Sequence, residues 1–207
     1  MQLKLINPMA VEWLAAVDLV RSKYQAVFDA DILPNPDNFL ALYDDAGELQ
    51  ACCGITYARG NKMFSEQYLD MPIEKAIAAN CGEKVERDQV LEVGSLATHS
   101  RSAGTELMKM IPVVVWSQGK RYAVLTATSQ LARIMRQVGV PAKLIAHASS
   151  DRLSDVDREK WGSYYKTNPF VCYVNVGSLS GGFFSKVGTY SFRNIDIEIV
   201  SANKEIA

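Results

Sequence analysis

Sixteen residues, Val90 to Thr105, read VLEVGSLATHSRSAGT and place more polar chemistry than a core-filling strand needs. Glu92 sits inside an apolar run, where a carboxylate has to be paired, hydrogen-bonded or protonated. A structural carboxylate paired with an arginine from another element, such as Arg21, would meet that need. The end of the stretch, Arg101-Ser102-Ala103-Gly104-Thr105, stands just before an apolar helix. Backbone N–H groups at such a junction can receive phosphate oxygens, Gly104 allows a close approach, and Arg101 adds a cation. Upstream, Phe-Ser-Glu-Gln-Tyr-Leu-Asp supplies an acid, an amide and a phenol in Glu66, Gln67 and Tyr68, a set able to recognise an amine or hydroxyl acceptor, or else a capping group with Tyr68 in the core. His99 could titrate near neutrality but reads best as an exposed loop residue. Tyr164 and Tyr165, adjacent tyrosines before a strand, read as packing residues. There is no H-E-x-x-H, no G-x-S-x-G and no P-loop. Hydrolytic, metal-dependent and nucleotide-hydrolysing chemistry therefore have no support.

The elements that must hold these groups follow from periodicity. Residues 2–6 alternate like a strand, and Trp13, Val17, Val20, Tyr24 and Val27 recur at helical spacing. A Pro-containing loop leads to FLALYDDAGELQACCGITYA, a hairpin around Asp-Ala-Gly. A helix is expected over Leu69 to Asn80 with Pro72 in its first turn. After the strand Val90–Thr98 come a helix from Thr105 to Trp116, interrupted late by Pro112, the strand RYAVLTAT and the helix SQLARIMRQVGV. PAKLIAHA and FVCYVNV complete a mixed α/β order in which later strands can pair in parallel and early ones antiparallel. The spacing suggests one domain over 1–177 and an extension over 178–207 ending in YSFRNIDIEIV, an added strand.

The 207 residues are 48% hydrophobic with a formal net charge of −1, enough for one substantial core and without a global field for nucleic acid. The charge is uneven. Between Thr98 and Lys143, Glu106 alone opposes Arg101, Lys109, Lys120, Arg121, Arg133, Arg136 and Lys143, an excess that suits an anionic ligand or acidic partner, or simply solvated helix faces. Four cysteines without C-x-x-C spacing indicate neither a zinc site nor a disulfide framework. Neighbouring Cys52 and Cys53 should face opposite sides of a strand. The opening residues do not read as a signal peptide, and the longest apolar run, Met110 to Trp116, is far short of the roughly 20 residues of a membrane span. A cytoplasmic protein is expected, with oligomeric state open.

The strand–loop–helix resembles the acyl-donor site of the GNAT acyltransferase superfamily, whose loop reads Gln/Arg-x-x-Gly-x-Gly/Ala; Arg101 and Gly104 match it, and Glu106 occupies its last small position. Four blocks, FSEQYLDMPIEKAI, VLEVGSLA, VLTATSQLARIMRQVGVP and WGSYYKTNPFVCYVNV, resemble the thermostable hemolysin family over roughly Phe39 to Val176, with Ser95 where that family typically has Asn. That family is regarded as GNAT-like and related to the autoinducer synthases. The resemblance implies a mixed, mostly antiparallel sheet flanked by helices, with central strands that splay to admit a phosphopantetheine arm. It implies Glu92 as catalytic base, with Glu66 and Tyr68 on the acceptor side. Ser95, Leu96, Ala97, Arg101, Gly104, Thr105 and Thr126 would bind the donor, the Gly104 N–H lying at the cleft mouth. The expected activity is transfer of an acyl group from acyl-CoA or acyl carrier protein to a small amine, without a permanently bound cofactor or a metal. A non-catalytic acyl-carrier-binding module and a membrane-active hemolysin-like protein are the alternatives.

Overall fold

A computed structural model describes residues 1–59 and 62–179, and the backbone of Ile197–Ile199. Its strands are β1 (Gln2–Ile6), β2 (Asn38–Tyr43), β3 (Leu49–Tyr57), β4 (Val90–Thr98), β5 (Tyr122–Ala127), β6 (Lys143–His147), β7 (Phe170–Asn175) and β8 (Ile197–Ile199). The helices are α1 (Trp13–Phe28), α2 (Ile73–Cys81), α3 (Arg101–Ser117), α4 (Ser129–Gln137) and α5 (Asp155–Lys160), and Phe64–Tyr68 forms a 3₁₀ turn. The sheet runs β6-β7-β5-β4-β3-β2-β1-β8. Pairing is antiparallel except at β4·β5 and β1·β8, so the expected mixed, mostly antiparallel sheet with flanking helices is what forms. The strand expected in the extension falls mostly outside the described residues. Of that segment, Ile197–Ile199 is described and pairs in parallel with β1.

The sheet is interrupted at its centre. β4 and β5 share only three registered pairs, Val90↔Tyr122, Leu91↔Ala123 and Glu92↔Val124, although both strands continue. β5 stays paired to β7 along its whole length, so β4 is the strand that departs. The cause is a bulge. Between the pairs Cys52↔Ala97 and Gly54↔Gly94, β4 uses one residue more than β3, and Ser95 takes a left-handed φ of 50°. An extra residue bends a strand and sharpens its twist. The expected opening between the two strands is therefore present, and it begins one residue beyond Glu92.

Both faces are covered. Cys53 joins the core that α3 packs on and Cys52 the core beneath α1, as strand alternation requires. Three boundaries differ from expectation. α3 begins at Arg101, because the Ser100 hydroxyl accepts the Ala103 N–H as an N-cap; Arg101 to Gly104 is the helix's first turn and not a loop. α3 also runs through Pro112 to Ser117, the proline merely withholding the donor that the Met108 carbonyl would accept. α2 starts at Ile73, after an extended Pro72; Met71, as the residue before a proline, avoids helical geometry, so the turn expected from Leu69 does not form.

One glycine ties the α5 region to α1. The Ser163 N–H and hydroxyl both donate to the Phe28 carbonyl at the end of α1, at 2.7 and 3.0 Å. Gly162 passes so close that a Cβ would lie 2.2 Å from that oxygen, at a φ of 50°. Replacing Gly162 with Ala should cost about 2 kcal/mol or more and lower the melting midpoint by roughly 4–8 °C, measured by thermal denaturation. An unshifted midpoint would show that the contact yields freely.

Candidate active site

The gap between β4 and β5 opens into a cavity of about 410 Å³, within the usual range for small-molecule sites. It threads the sheet. Met108, Ile111 and Met135 from α3 and α4 form its apolar wall on one side, while Tyr24 and Phe28 of α1 close the other. The edge of β4 from Val93 to Thr98 lines it and has no strand neighbour on that side. Expected donor-site residues Ser95, Leu96, Ala97 and Thr126 all border this space, as does Thr128, whose hydroxyl caps α4 by accepting the Leu131 N–H. A second cavity of about 240 Å³ adjoins it. Val93, Gly94, Ser95, Thr126, Tyr24 and Tyr164 line both, so the two meet at the point where the strands part.

Glu92 lines the second cavity and is only 5% exposed. No arginine among the described residues meets it; Arg21, its candidate partner from the sequence, instead lies 3.5 Å from Asp31 on the surface. The compensation comes from the 3₁₀ turn. The Phe64 N–H donates to one Glu92 oxygen and the Ser65 N–H to the other, each at 2.8 Å, and the Ser65 hydroxyl adds a short hydrogen bond. Burial pushes the Glu92 pKa up; the Ser65 hydroxyl and the two N–H groups pull it back without reversing it, and nearby Glu66 adds to the rise. The Ser65 hydroxyl also lies 3.2 Å from the Thr126 hydroxyl, forming a chain of polar groups from Glu92 toward the larger cavity. Glu92 and Thr126 share a sheet face because β4 and β5 are in register at Glu92↔Val124 and strand side chains alternate.

Glu66 and Tyr68 border neither cavity. Both Glu66 oxygens are taken, by the Arg87 guanidinium at 2.6 and 3.0 Å and by the N–H groups of Met63 and Ile73 at 2.7 and 2.9 Å. Burial alone would raise this carboxyl, but Arg87 and the two N–H groups outweigh it and hold Glu66 below its usual range. It fastens the turn that presents Phe64 and Ser65 to Glu92. Tyr68 is buried, its hydroxyl against that of Tyr165, and Gln67 keeps a buried amide nitrogen without a partner among the described residues.

The Arg101–Thr105 turn is displaced from the expected role in the same way. The Gly104 N–H is spent on the Ser100 carbonyl at 3.1 Å, inside the helix, and so is not at the cleft mouth. A Cβ there would meet the Thr98 side chain at 3.1 Å, so the glycine serves close packing of α3 on β4. Thr105 bonds back to the Arg101 carbonyl, and Arg101 and His99 are exposed; none of the four lines either cavity. Conversely, Ser65, Tyr24 and Trp161 carry no motif that singles them out. Tyr164, read mainly as packing, lines both cavities and donates to the Thr126 carbonyl at 3.3 Å.

The two carboxylates should respond to pH in opposite senses. Glu66, depressed in the folded state, contributes stability that is present above its unfolded value of about 4.5 and lost as pH falls through its folded pKa; Glu92, raised, contributes stability that is lost as pH rises from about 4.5 through its folded pKa. Replacing Glu66 with Gln takes away one of the two carboxylates that hold Arg87, Glu74 remaining at 2.9 Å, and should cost about 1–3 kcal/mol at pH 7, with a shallower acid-side loss than the parent protein shows. Urea melts across pH 4 to 8 would read both effects, and a parent-like pH profile would contradict the assignment.

No curated protein matches the chain. Among solved structures, FeeM, an N-acyl amino acid synthase from uncultured soil microbes, aligns with a TM-score of 0.56 at 14% identity, over 88% of this chain and 99% of its own. The CoA-dependent acyl-homoserine lactone synthase BjaI, determined with SAM and isopentyl-CoA, gives 0.59 at 10% identity over 97% and 95%. The acyl-homoserine lactone synthase LasI gives 0.55 at 12% over 88% and 95%. At these identities the likeness is one of fold. Residues 6–179 match the thermostable hemolysin family, so the chain belongs to that family.

Proposed function

We propose that this protein is an N-acyltransferase that moves an acyl group from a phosphopantetheine thioester to an amine. The observation that carries this reading is the meeting of an apolar cavity and a buried carboxylate at the end of the β4·β5 ladder. The free β4 edge at Ser95, Leu96 and Ala97 offers backbone groups to the amides of a pantetheine arm, as a neighbouring strand would. The apolar wall of Met108, Ile111 and Met135 takes the acyl chain. The thioester carbonyl then lies near the bulge, and the amine approaches through the second cavity. The chemistry needs no enzyme-bound intermediate: the amine nitrogen bonds to the carbonyl carbon, the C–S bond breaks, and a proton leaves nitrogen.

Glu92 is the group placed to receive that proton, directly or through the Ser65 and Thr126 hydroxyls. Tyr164 suits hydrogen bonding to the departing sulfur once its one hydroxyl proton turns from the Thr126 carbonyl. Burial raises its hydroxyl well above the usual phenol value, so it is a poorer acid than a thiol and serves as a donor to the thiolate without having to ionise. Glu66 positions the turn, Tyr68 packs beside it, and Gly104 and Thr105 shape α3.

For the donor's polar end, the local basic excess separates into two groups. Lys109 pairs with Glu106, Arg121 with Glu83, and Lys120 donates to the Asp88 carbonyl, whereas Arg101, Arg133, Arg136 and Lys143 are exposed. The second group fits the phosphates of CoA or the acidic surface of an acyl carrier protein. The double change Arg133→Glu with Arg136→Glu should weaken donor binding and flatten its salt dependence, because fewer attractive contacts remain to be screened. Unchanged affinity at low salt would return both residues to solvation alone.

The reaction itself is tested by thiol release from acyl-CoA and acyl carrier protein donors. Glu92→Gln should lower turnover 10²–10⁴-fold, the typical worth of a general base, with donor affinity kept. The parent's turnover should fall on the acid side through the raised Glu92 pKa. The variant also sets an amide NH₂ against a backbone N–H and should lose about 1–3 kcal/mol of stability. Early melting with normal turnover per folded molecule would overturn the catalytic role.

A further inference from the structure

The second cavity carries information about the acceptor. Four rings border it in one contiguous cluster: Trp161 lies 5.3 Å from Phe64, 5.0 Å from Tyr164 and 5.9 Å from Tyr24, centroid to centroid, and Tyr24 stacks on Tyr164 at 6.3 Å. The single charged side chain lining this cavity among the described residues is Glu92; no Lys or Arg lines it, and Lys23, the basic residue bordering the apolar cavity, does not reach it. Aromatic faces attract cations through their quadrupoles, and a partly desolvated carboxylate attracts them more strongly. The same surroundings repel an anion. A carboxylate entering here would lose its hydration beside Glu92 with no side-chain cation to offset it.

We infer that the acceptor is a primary amine bearing an aromatic or hydrocarbon substituent and no carboxylate beside the amine, bound as its ammonium ion between Glu92 and the rings of Phe64, Trp161, Tyr164 and Tyr24. This rests on the acyltransferase reading and names its second substrate class. The proton balance follows. Glu92 takes one proton from the ammonium group, the freed nitrogen lone pair attacks the thioester carbonyl, and the C–N bond forms as the C–S bond breaks. The second nitrogen proton neutralises the departing thiolate, so the products are an amide and a free thiol. The rings hold the substituent and keep water from the nucleophile. This distinguishes the site from one that holds an amino acid's carboxylate with a guanidinium or ammonium side chain.

The test separates binding from turnover. Isothermal titration of the full chain at pH 7.5 compares phenethylamine, phenylalanine and 2-phenylethanol, which share a ring and differ in the ammonium and carboxylate groups. Phenethylamine should bind at least tenfold tighter than either of the others. Trp161→Phe should keep most of that affinity, Trp161→Leu should weaken it about five- to tenfold, and Glu92→Gln should abolish the preference for the amine over the alcohol. Phenylalanine binding as tightly as phenethylamine, or the alcohol equalling the amine, overturns the inference whatever the turnover. Incubation with octanoyl-CoA is the separate arm. Selective amine binding without amide formation from any donor removes the acyltransferase reading and leaves the amine site standing; acylation of amino acids with no phenethylamine binding removes the amine site and leaves acyl transfer.

Discussion

The fold depends on how one carboxylate is kept out of water. Glu92 is buried on a central strand at the last register pair before its ladder to β5 ends, and it is stabilised by the Phe64 and Ser65 N–H groups and the Ser65 hydroxyl. These donors are there because the 3₁₀ turn is anchored a residue later, where Glu66 holds the N–H groups of Met63 and Ile73 and the Arg87 guanidinium. Two acidic residues, neighbours in space, thus occupy opposite regimes. One is depressed by a cation and used as a clamp; the other is raised by burial and faces a cavity. Environments that drive two carboxylates apart in this way are a recurring means of assigning them different work.

The splay is a second consequence of local backbone geometry. An uninterrupted ladder would leave no room between β4 and β5, and the bulge at Ser95 opens that room while β3 continues to pair with β4 on its other edge. The exposed edge is backbone, so its hydrogen-bonding groups are present whatever side chains the strand carries. In this chain α3 and α4 contribute apolar side chains to one cavity, and the turn, α1 and the residues after α5 contribute rings to the other.

Much of this was legible in the sequence. Strand alternation put Cys52 and Cys53 on opposite faces, and the order of elements implied the mixed sheet. A carboxylate in an apolar run marked Glu92 as a residue needing compensation, since burial of charge is costly wherever it occurs. These are local statements, decided by periodicity and solvation. Which group meets Glu92 was not local. Arg21 and the Ser65 amide are both far from Glu92 along the chain, and only the packing of the 64–68 turn over β4 selects the second. The same holds for Glu66, whose identity as a clamp depends on Arg87, 21 residues on. The Arg101–Gly104 segment fits a loop or a first helical turn until Ser100 caps it. Trp161, Phe64, Tyr24 and Tyr164 form one wall only because Gly162 lets the chain after α5 press against the end of α1. Sequence by itself determined the elements and the presence of a charge in need of a partner; tertiary structure decided the partner and the cavity, because both are set by contacts between segments that no spacing along the chain encodes.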